Sequence, residues 1–154
     1  MTEIHYKRSR FSTRLPASRR YTRSHYWLFE REPGVWRIGL TKFATRMLGE
    51  LVEYGFLAQP GGTVTVGQQI GSVEGFKAIS DIYSVATGEF LGAGPDLEAD
   101  ITLADTDPYG RGWLYEVRGQ PEPESLDVHG YVAVLDASID KMLASRHQGG
   151  QQDD

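Results

Sequence analysis

The sequence predicts a mainly β fold, a core of short strands with helical pieces at its margins. Three features carry this expectation. Short alternating runs rich in β-branched and aromatic residues recur along the chain. Turn signals separate them, among them Glu32-Pro33-Gly34, Gln59-Pro60-Gly61-Gly62 and Asp107-Pro108-Tyr109-Gly110. No long apolar helix alternates with strands, which argues against a doubly wound α/β plan.

The elements follow in order. Tyr26 to Arg31 reads as a strand and Val35 to Leu40 as its return, the proline and glycine between them being suited to a tight turn. Thr41 is a plausible N-cap, and Phe43, Met47 and Leu48 mark one face of a short helix. Leu51 to Ala58 is extended, and Thr63 to Val66 alternates cleanly. Gly88 to Leu91 is a further short strand, and Pro95 to Asp105 carries Leu97, Ile101 and Leu103 at helix-compatible spacing. Gly112 to Arg118 is the last strand. Residues 119–125 form a Pro- and Glu-rich linker before an amphipathic helix over Tyr131 to Arg146, with Val132, Leu135, Ile139, Met142 and Leu143 on one side. Four segments result: a basic N-terminal arm over 1–23, a β-domain over 24–118, the linker and packed helix over 119–146, and a disordered tail over 147–154.

Composition narrows the function classes. The 154 residues suffice for one domain with a real core, and no run reaches the roughly 18 apolar residues of a membrane span. The opening residues lack the apolar stretch of a secretory signal. Without cysteine there are no disulfides and no thiolate metal sites, which fits a cytoplasmic protein. Net charge is −5, yet residues 1–23 hold seven Lys or Arg against Glu3 alone, leaving −11 on the remainder. That acidic body opposes nucleic-acid binding, so a solvated or partner-docking arm is expected, with Phe11 and Leu15 as apolar anchors on the body.

Motifs for direct catalysis are missing. His5, His25, His129 and His147 show no metal-ligand spacing. Nucleotide-phosphate loops and a Gly-x-Ser-x-Gly elbow are absent. Asp105 and Asp107 suit turn capping, and the three tryptophans suit the core. What remains is the stretch Gln69 to Phe90, two extended runs folded back on each other with Lys77 at the bend and Gly75 supplying backbone freedom beside it. A lysine there is a flexible exposed amine on a rigid base, the geometry needed to tether a carrier group. It is also an ordinary way to solvate a hairpin tip and discourage edge pairing.

The residues around it resemble a known family. Val73-Glu74-Gly75-Phe76-Lys77-Ala78, followed by Ser80-Asp81-Ile82-Tyr83, is similar to the lipoyl-lysine region of the glycine cleavage H proteins. The likeness spans roughly residues 24–118 and includes Ser24-His25-Tyr26-Trp27, Gly39-Leu40-Thr41, Leu48-Gly49-Glu50 and Asp107 to Trp113. It implies a lipoyl-domain-like flattened β-barrel, or barrel-sandwich hybrid, with a C-terminal helix alongside. It also implies lipoic acid joined covalently to Lys77, in a carrier that is not itself an enzyme. Biotin carriers share the architecture but flank the lysine with methionines, whereas Phe76 and Ala78 stand here.

Some residues depart from the family pattern. Glycine cleavage H proteins usually read Glu-Ser-Val-Lys-Ala at the lysine and His-Glu-Trp near the start, where this chain has Glu74 to Ala78 and His25-Tyr26-Trp27. The basic start and Gly92-Ala93-Gly94-Pro95 also differ. These departures resemble the lipoate-binding proteins of heterodisulfide-reductase-like sulfur oxidation, and the expectation is a carrier of a sulfur intermediate. The alternative is a glycine cleavage H protein carrying an aminomethyl group, and a second alternative is an unlipoylated interaction module. The implied partners are a lipoyl ligase or lipoyltransferase and a heterodisulfide-reductase-like complex. For the alternative they are glycine decarboxylase, aminomethyltransferase and dihydrolipoyl dehydrogenase. No nucleic acid and no membrane are expected. Glu74 and Asp81 are expected to help the lipoylating enzyme recognise the hairpin, or else simply to solvate its tip.

Overall fold

Alternation in the sequence becomes three antiparallel sheets. A computed structural model describes residues 2–152, with the backbone alone for 147–152. β1 (Glu3–Arg8) and β2 (Phe11–Pro16) form a hairpin of their own. A six-stranded sheet holds, from edge to edge, β3 (Arg20–Tyr21), β4 (Tyr26–Glu32), β5 (Val35–Leu40), β11 (Tyr115–Pro121), β10 (Ala86–Ala93) and β7 (Thr63–Val64). A three-stranded sheet orders β6 (Leu51–Phe56), β8 (Gln69–Gly75) and β9 (Ile79–Tyr83). The last two sheets share one core, in which Leu28, Ile38, Phe90 and Val117 from one meet Leu51, Ile70, Val73 and Ile82 from the other. The fold is thus mainly β, with two sheets closed on one apolar layer as the lipoyl-domain-like architecture requires.

The helices lie outside that layer: α1 (Lys42–Leu48), α2 (Pro95–Ala99), α3 (Leu103–Thr106) and α4 (Val128–Gln152). α1 starts where expected, with Thr41 Oγ1 accepting from the Ala44 amide at 3.3 Å. Its apolar face differs from the expectation, since Met47 is 43% exposed. The reason is that α1 bridges two cores. Leu48 enters the inter-sheet layer, while Phe43 joins a second cluster with Phe11, Leu15, Tyr21, Trp27, Tyr131 and Leu135.

That second cluster also changes the reading of the N-terminus. Residues expected as an arm form the β1–β2 hairpin, seated on α4 through buried Tyr6, Phe11 and Leu15. Phe11 and Leu15 are the anchors the sequence suggested. Arg8 is bound on both sides, to Asp136 at 3.2 Å and Asp140 at 2.9 Å.

Other differences have local causes. The single helix expected over 95–105 is broken in two, because Asp100 is extended and its carboxylate captures the amide and hydroxyl of Thr102 at 3.1 and 2.6 Å. The last strand starts at Tyr115 rather than Gly112, since Gly112 is bonded to the Asp107 carbonyl, and it runs on to Pro121. α4 begins at Val128 and extends to Gln152, into residues expected as tail; Asp153 and Asp154 lie outside the described residues. Of the tryptophans only Trp27 is fully buried, while Trp113 lies half-buried under the Arg37 guanidinium at 4.5 Å. Beside it, buried Glu116 is gripped by Arg31 at 2.8 Å and Arg37 at 3.0 Å.

Candidate functional site

Four lysines are present, and only one stands at a turn. Lys7 lies within β1 and Lys141 within α4, and Lys42 donates to the Asp105 carbonyl at 2.7 Å. Lys77 sits at the tip of the β8–β9 hairpin, whose last pair is Glu74 with Ile79. Its side chain is exposed and, among the described residues, forms no ion pair or side-chain hydrogen bond.

The backbone beneath that side chain is pinned. The Gly75 amide donates to the Ala78 carbonyl at 2.9 Å, closing the turn. The Phe76 amide donates to Glu50 at 3.1 Å and the Lys77 amide to Leu48 at 2.8 Å. The tip therefore lies against the segment joining α1 to β6, its amides used up by two carbonyls of that segment. An exposed, unpaired side chain on a hydrogen-bonded backbone results.

Glycines make the close approach possible. A Cβ on Gly75 would stand 2.2 Å from the Leu48 carbonyl oxygen, so only a hydrogen fits. This replaces the reason expected from sequence: Gly75 serves contact with α1, not freedom at the bend, and has no positive φ. Gly49 does need the left-handed region, with φ of 80°, and a Cβ there would press on the Lys77 amide nitrogen at 3.0 Å.

The neighbours sort into two kinds. Phe76 is 77% exposed and Ile79 72%, so the lysine is bracketed by apolar side chains facing solvent. Isolated exposed apolar residues are ordinary; a pair flanking one free amine marks a surface that another protein could cover. Ala78 and Glu74 are exposed and contribute no side-chain bond. Asp81 is held in place, accepting from Gln69 Nε2 at 2.9 Å and from the Tyr83 hydroxyl at 3.2 Å, and that bond raises the tyrosine's pKa.

Two hollows open beside the hairpin. One of about 360 Å³ is lined by Lys77 itself with Gly49, Glu50, Thr45 and Thr102. The other, about 180 Å³, runs between Tyr26, Phe43 and Met47 on one side and Ser80 and Asp81 on the other. Tyr26 is buried at the hairpin's base, its hydroxyl accepting from the Tyr83 amide at 3.3 Å, and burial pushes its pKa up to about 12. His25 is half-buried behind it, its Nδ1 2.9 Å from the Tyr131 hydroxyl, and desolvation pushes its pKa down to about 4. It is a neutral packing residue.

The arrangement fits a long, largely apolar group amide-linked to Lys77. The amine is exposed and unpaired among the described residues, its backbone is hydrogen-bonded to the α1–β6 segment, and hollows for the attached chain adjoin it. Lys77 lies at the bend of a hairpin, as the residue order predicts. The residue order does not announce the carbonyls of Leu48 and Glu50 that hold the tip, although Leu48-Gly49-Glu50 stands out as a motif. Among the described residues no cluster of side chains could hold a metal ion.

Comparison with known proteins bears on the same region. The profile of the family described as Glycine cleavage H-protein matches residues 19–132, which include the hairpin and leave β1 and β2 outside. A glycine cleavage system H protein of Streptomyces avermitilis is 40% identical over 111 residues, 72% of this chain and 88% of that protein. One from Shewanella oneidensis is 37% identical over 125 residues, 79% of this chain and 96% of its own length. A crystal structure of a glycine cleavage system H protein from Mycobacterium marinum matches with a TM-score of 0.69 at 34% identity, covering 77% of this chain and 97% of that one.

Proposed function

The chain belongs to the glycine cleavage H-protein family, and from that premise we propose that Lys77 is its lipoyl attachment point, serving to carry the aminomethyl group of glycine cleavage. Members of the family carry a covalently attached lipoate on a lysine. The observation that supports Lys77 is its combination of an unpaired exposed side chain with amides tied to Leu48 and Glu50. Bound lipoate supplies a dithiolane that accepts a substrate fragment on one sulfur while the other is reduced to a thiol. The chain's own residues tie down the backbone of the attachment point, offer Phe76 and Ile79 for contact, and leave the amine without an ion pair among the described residues. On this reading the protein carries and does not catalyse. Its partners are a lipoyl ligase, glycine decarboxylase, aminomethyltransferase and dihydrolipoyl dehydrogenase.

The relatives favour this role over the sulfur-carrying one expected from the departures in sequence, since they are named as glycine cleavage proteins. One observation keeps the sulfur role as a second reading. Where His-Glu-Trp is usual, Tyr26 places a buried neutral phenol beside the hairpin instead of a carboxylate. A carboxylate there would suit a cationic amine cargo, and a phenol suits a neutral or sulfur-bearing one.

Expression beside a lipoyl ligase, followed by intact mass and peptide mapping, tests the attachment. A lipoyl adduct on Lys77 is the expected result, and an unmodified chain would leave the interaction-module reading. The holo-protein is then assayed in a reconstituted glycine cleavage system. Turnover supports the aminomethyl role. A lipoylated chain that gives none returns the assignment to sulfur.

A further inference from the structure

Beside α1, along Phe43, Arg46 and Met47, lies a groove of about 360 Å³, between the β1–β2 turn and the later turns of α4. Its floor is apolar, with Phe11, Phe43, Met47, Met142 and Leu143. Its rim is cationic: Arg8, Arg10, Arg46 and Arg146 come from three different elements, and no carboxylate lines it. Arg8 is spoken for by Asp136 and Asp140. Arg10, Arg46 and Arg146 are exposed and, among the described residues, form no ion pair. The concentration of charge is marked, because the chain outside residues 1–23 carries a net −11.

We propose that this groove docks an acidic amphipathic segment of a partner protein, its apolar side chain seated among Phe11, Met47 and Leu143 and its carboxylates on Arg10, Arg46 and Arg146. Charge complementarity selects the occupant's sign. Three separated guanidiniums call for several carboxylates, whereas a small monocarboxylate would fill one fork. The apolar floor extends past the cavity onto the surface, since Met47 is 43% and Leu143 40% exposed, and methionines repack readily around a varied side chain. An anionic membrane or a nucleic acid spreads its charge over a wide area and so meets the acidic remainder too, whereas a short segment meets the arginines alone.

Position adds to the argument. Most of the groove comes from segments outside the family match, with only Phe43, Arg46 and Met47 inside residues 19–132. Phe43 and Met47 also line the hollow that ends at Ser80 and Asp81. A partner seated here would therefore lie on the same helix that supports the lysine hairpin.

The test uses the full chain and a short fluorescein-labelled peptide of glutamates with a leucine and a phenylalanine, followed by fluorescence anisotropy. Binding is expected, weakening as salt rises. The Arg10→Glu and Arg146→Glu double variant should weaken it about ten-fold or more, because two charge-assisted contacts are reversed. Met47→Glu should also weaken it, and both variants should keep the wild-type melting temperature, since the altered residues are exposed. The Lys77→Arg chain should bind as well as wild type, which separates this proposal from the lipoyl assignment. Equal binding of a lysine-for-glutamate peptide, or unchanged affinity of the double variant, overturns it. So does full competition by octanoate, tighter binding to phosphatidylglycerol vesicles than to the peptide, or a dimer of this chain that the double variant dissolves.

Discussion

Two hairpins in this molecule carry cations, and they are put to opposite use. In β8–β9 the lysine points into solvent while the backbone is fastened to the Leu48 and Glu50 carbonyls. In β1–β2 the side chains do the fastening: Tyr6 donates to Asp136 at 2.8 Å, Arg8 forks onto Asp140, and Phe11 meets Phe43 edge-on at 5.5 Å. The first hairpin is held by its main chain and leaves its amine free. The second is held by its side chains, and its Arg8 is not free. Arg8 is spent on holding its hairpin, Arg10 at the same turn is not, and Lys77 is spared because main-chain bonds hold its hairpin.

The largest expected effect is at Lys77. Lys77→Arg should abolish lipoylation completely, because a guanidinium cannot form that amide, while the melting temperature stays that of wild type. An adduct persisting in the variant, read by intact mass, would place the attachment elsewhere.

Acid should act on the other hairpin. His25 packs with its ring tilted against Phe43, centroids 4.6 Å apart, and Phe43 belongs to the cluster that seats β1–β2. The His25 ring nitrogen meets the Tyr131 hydroxyl, which is bonded in turn to Thr41, and Asp81 is the charged group lining the same hollow. Burial holds the folded pKa of His25 near 4, below the 6.5 of a free imidazole, so the unfolded chain takes up the proton first. Stability is full above pH 6.5 and falls as pH drops towards 4, by up to about 3 kcal/mol. Urea denaturation across this window should show that loss in wild type and a smaller one in His25→Phe; equal slopes would show that His25 is not the cause.

A smaller change detaches the lysine hairpin from its support. Gly75→Ala drives a Cβ into the Leu48 carbonyl and should cost about 1–3 kcal/mol. Hydrogen exchange at the Phe76 and Lys77 amides should accelerate with it. Unchanged protection there would mean that the tip stays bound without the close approach. The least effect is expected from Arg8→Ala, whose ion pairs are half exposed: a slight loss that added salt erases in wild type, measured by thermal melts with and without salt.

Much of this was readable from residue order, for local reasons. Proline and glycine placed the β4–β5 turn, Thr41 started α1, and alternation with β-branched residues set β8 and β9 around Lys77. Elements went astray where a distant partner intervened. Nothing near Phe11 announces that α4 will cover it, so a hairpin read as an arm. Asp100 broke a helix through its own side chain, a competition that apolar spacing does not register. At the site, the carbonyls that hold the tip belong to residues chosen for other duties, and backbone acceptors leave no mark on residue type.

The chain's order of side chains accounts for its β character, its family and its one amine at a turn, because periodicity, turn chemistry and motif are properties of neighbouring residues. Whether that amine would be free, which cations would be neutralised and which would gather over an apolar groove depended on segments distant in the chain coming together, as far apart as Arg8 and Asp140. Such contacts arise from burial and charge pairing summed over the whole molecule, and folding has to bring them into being.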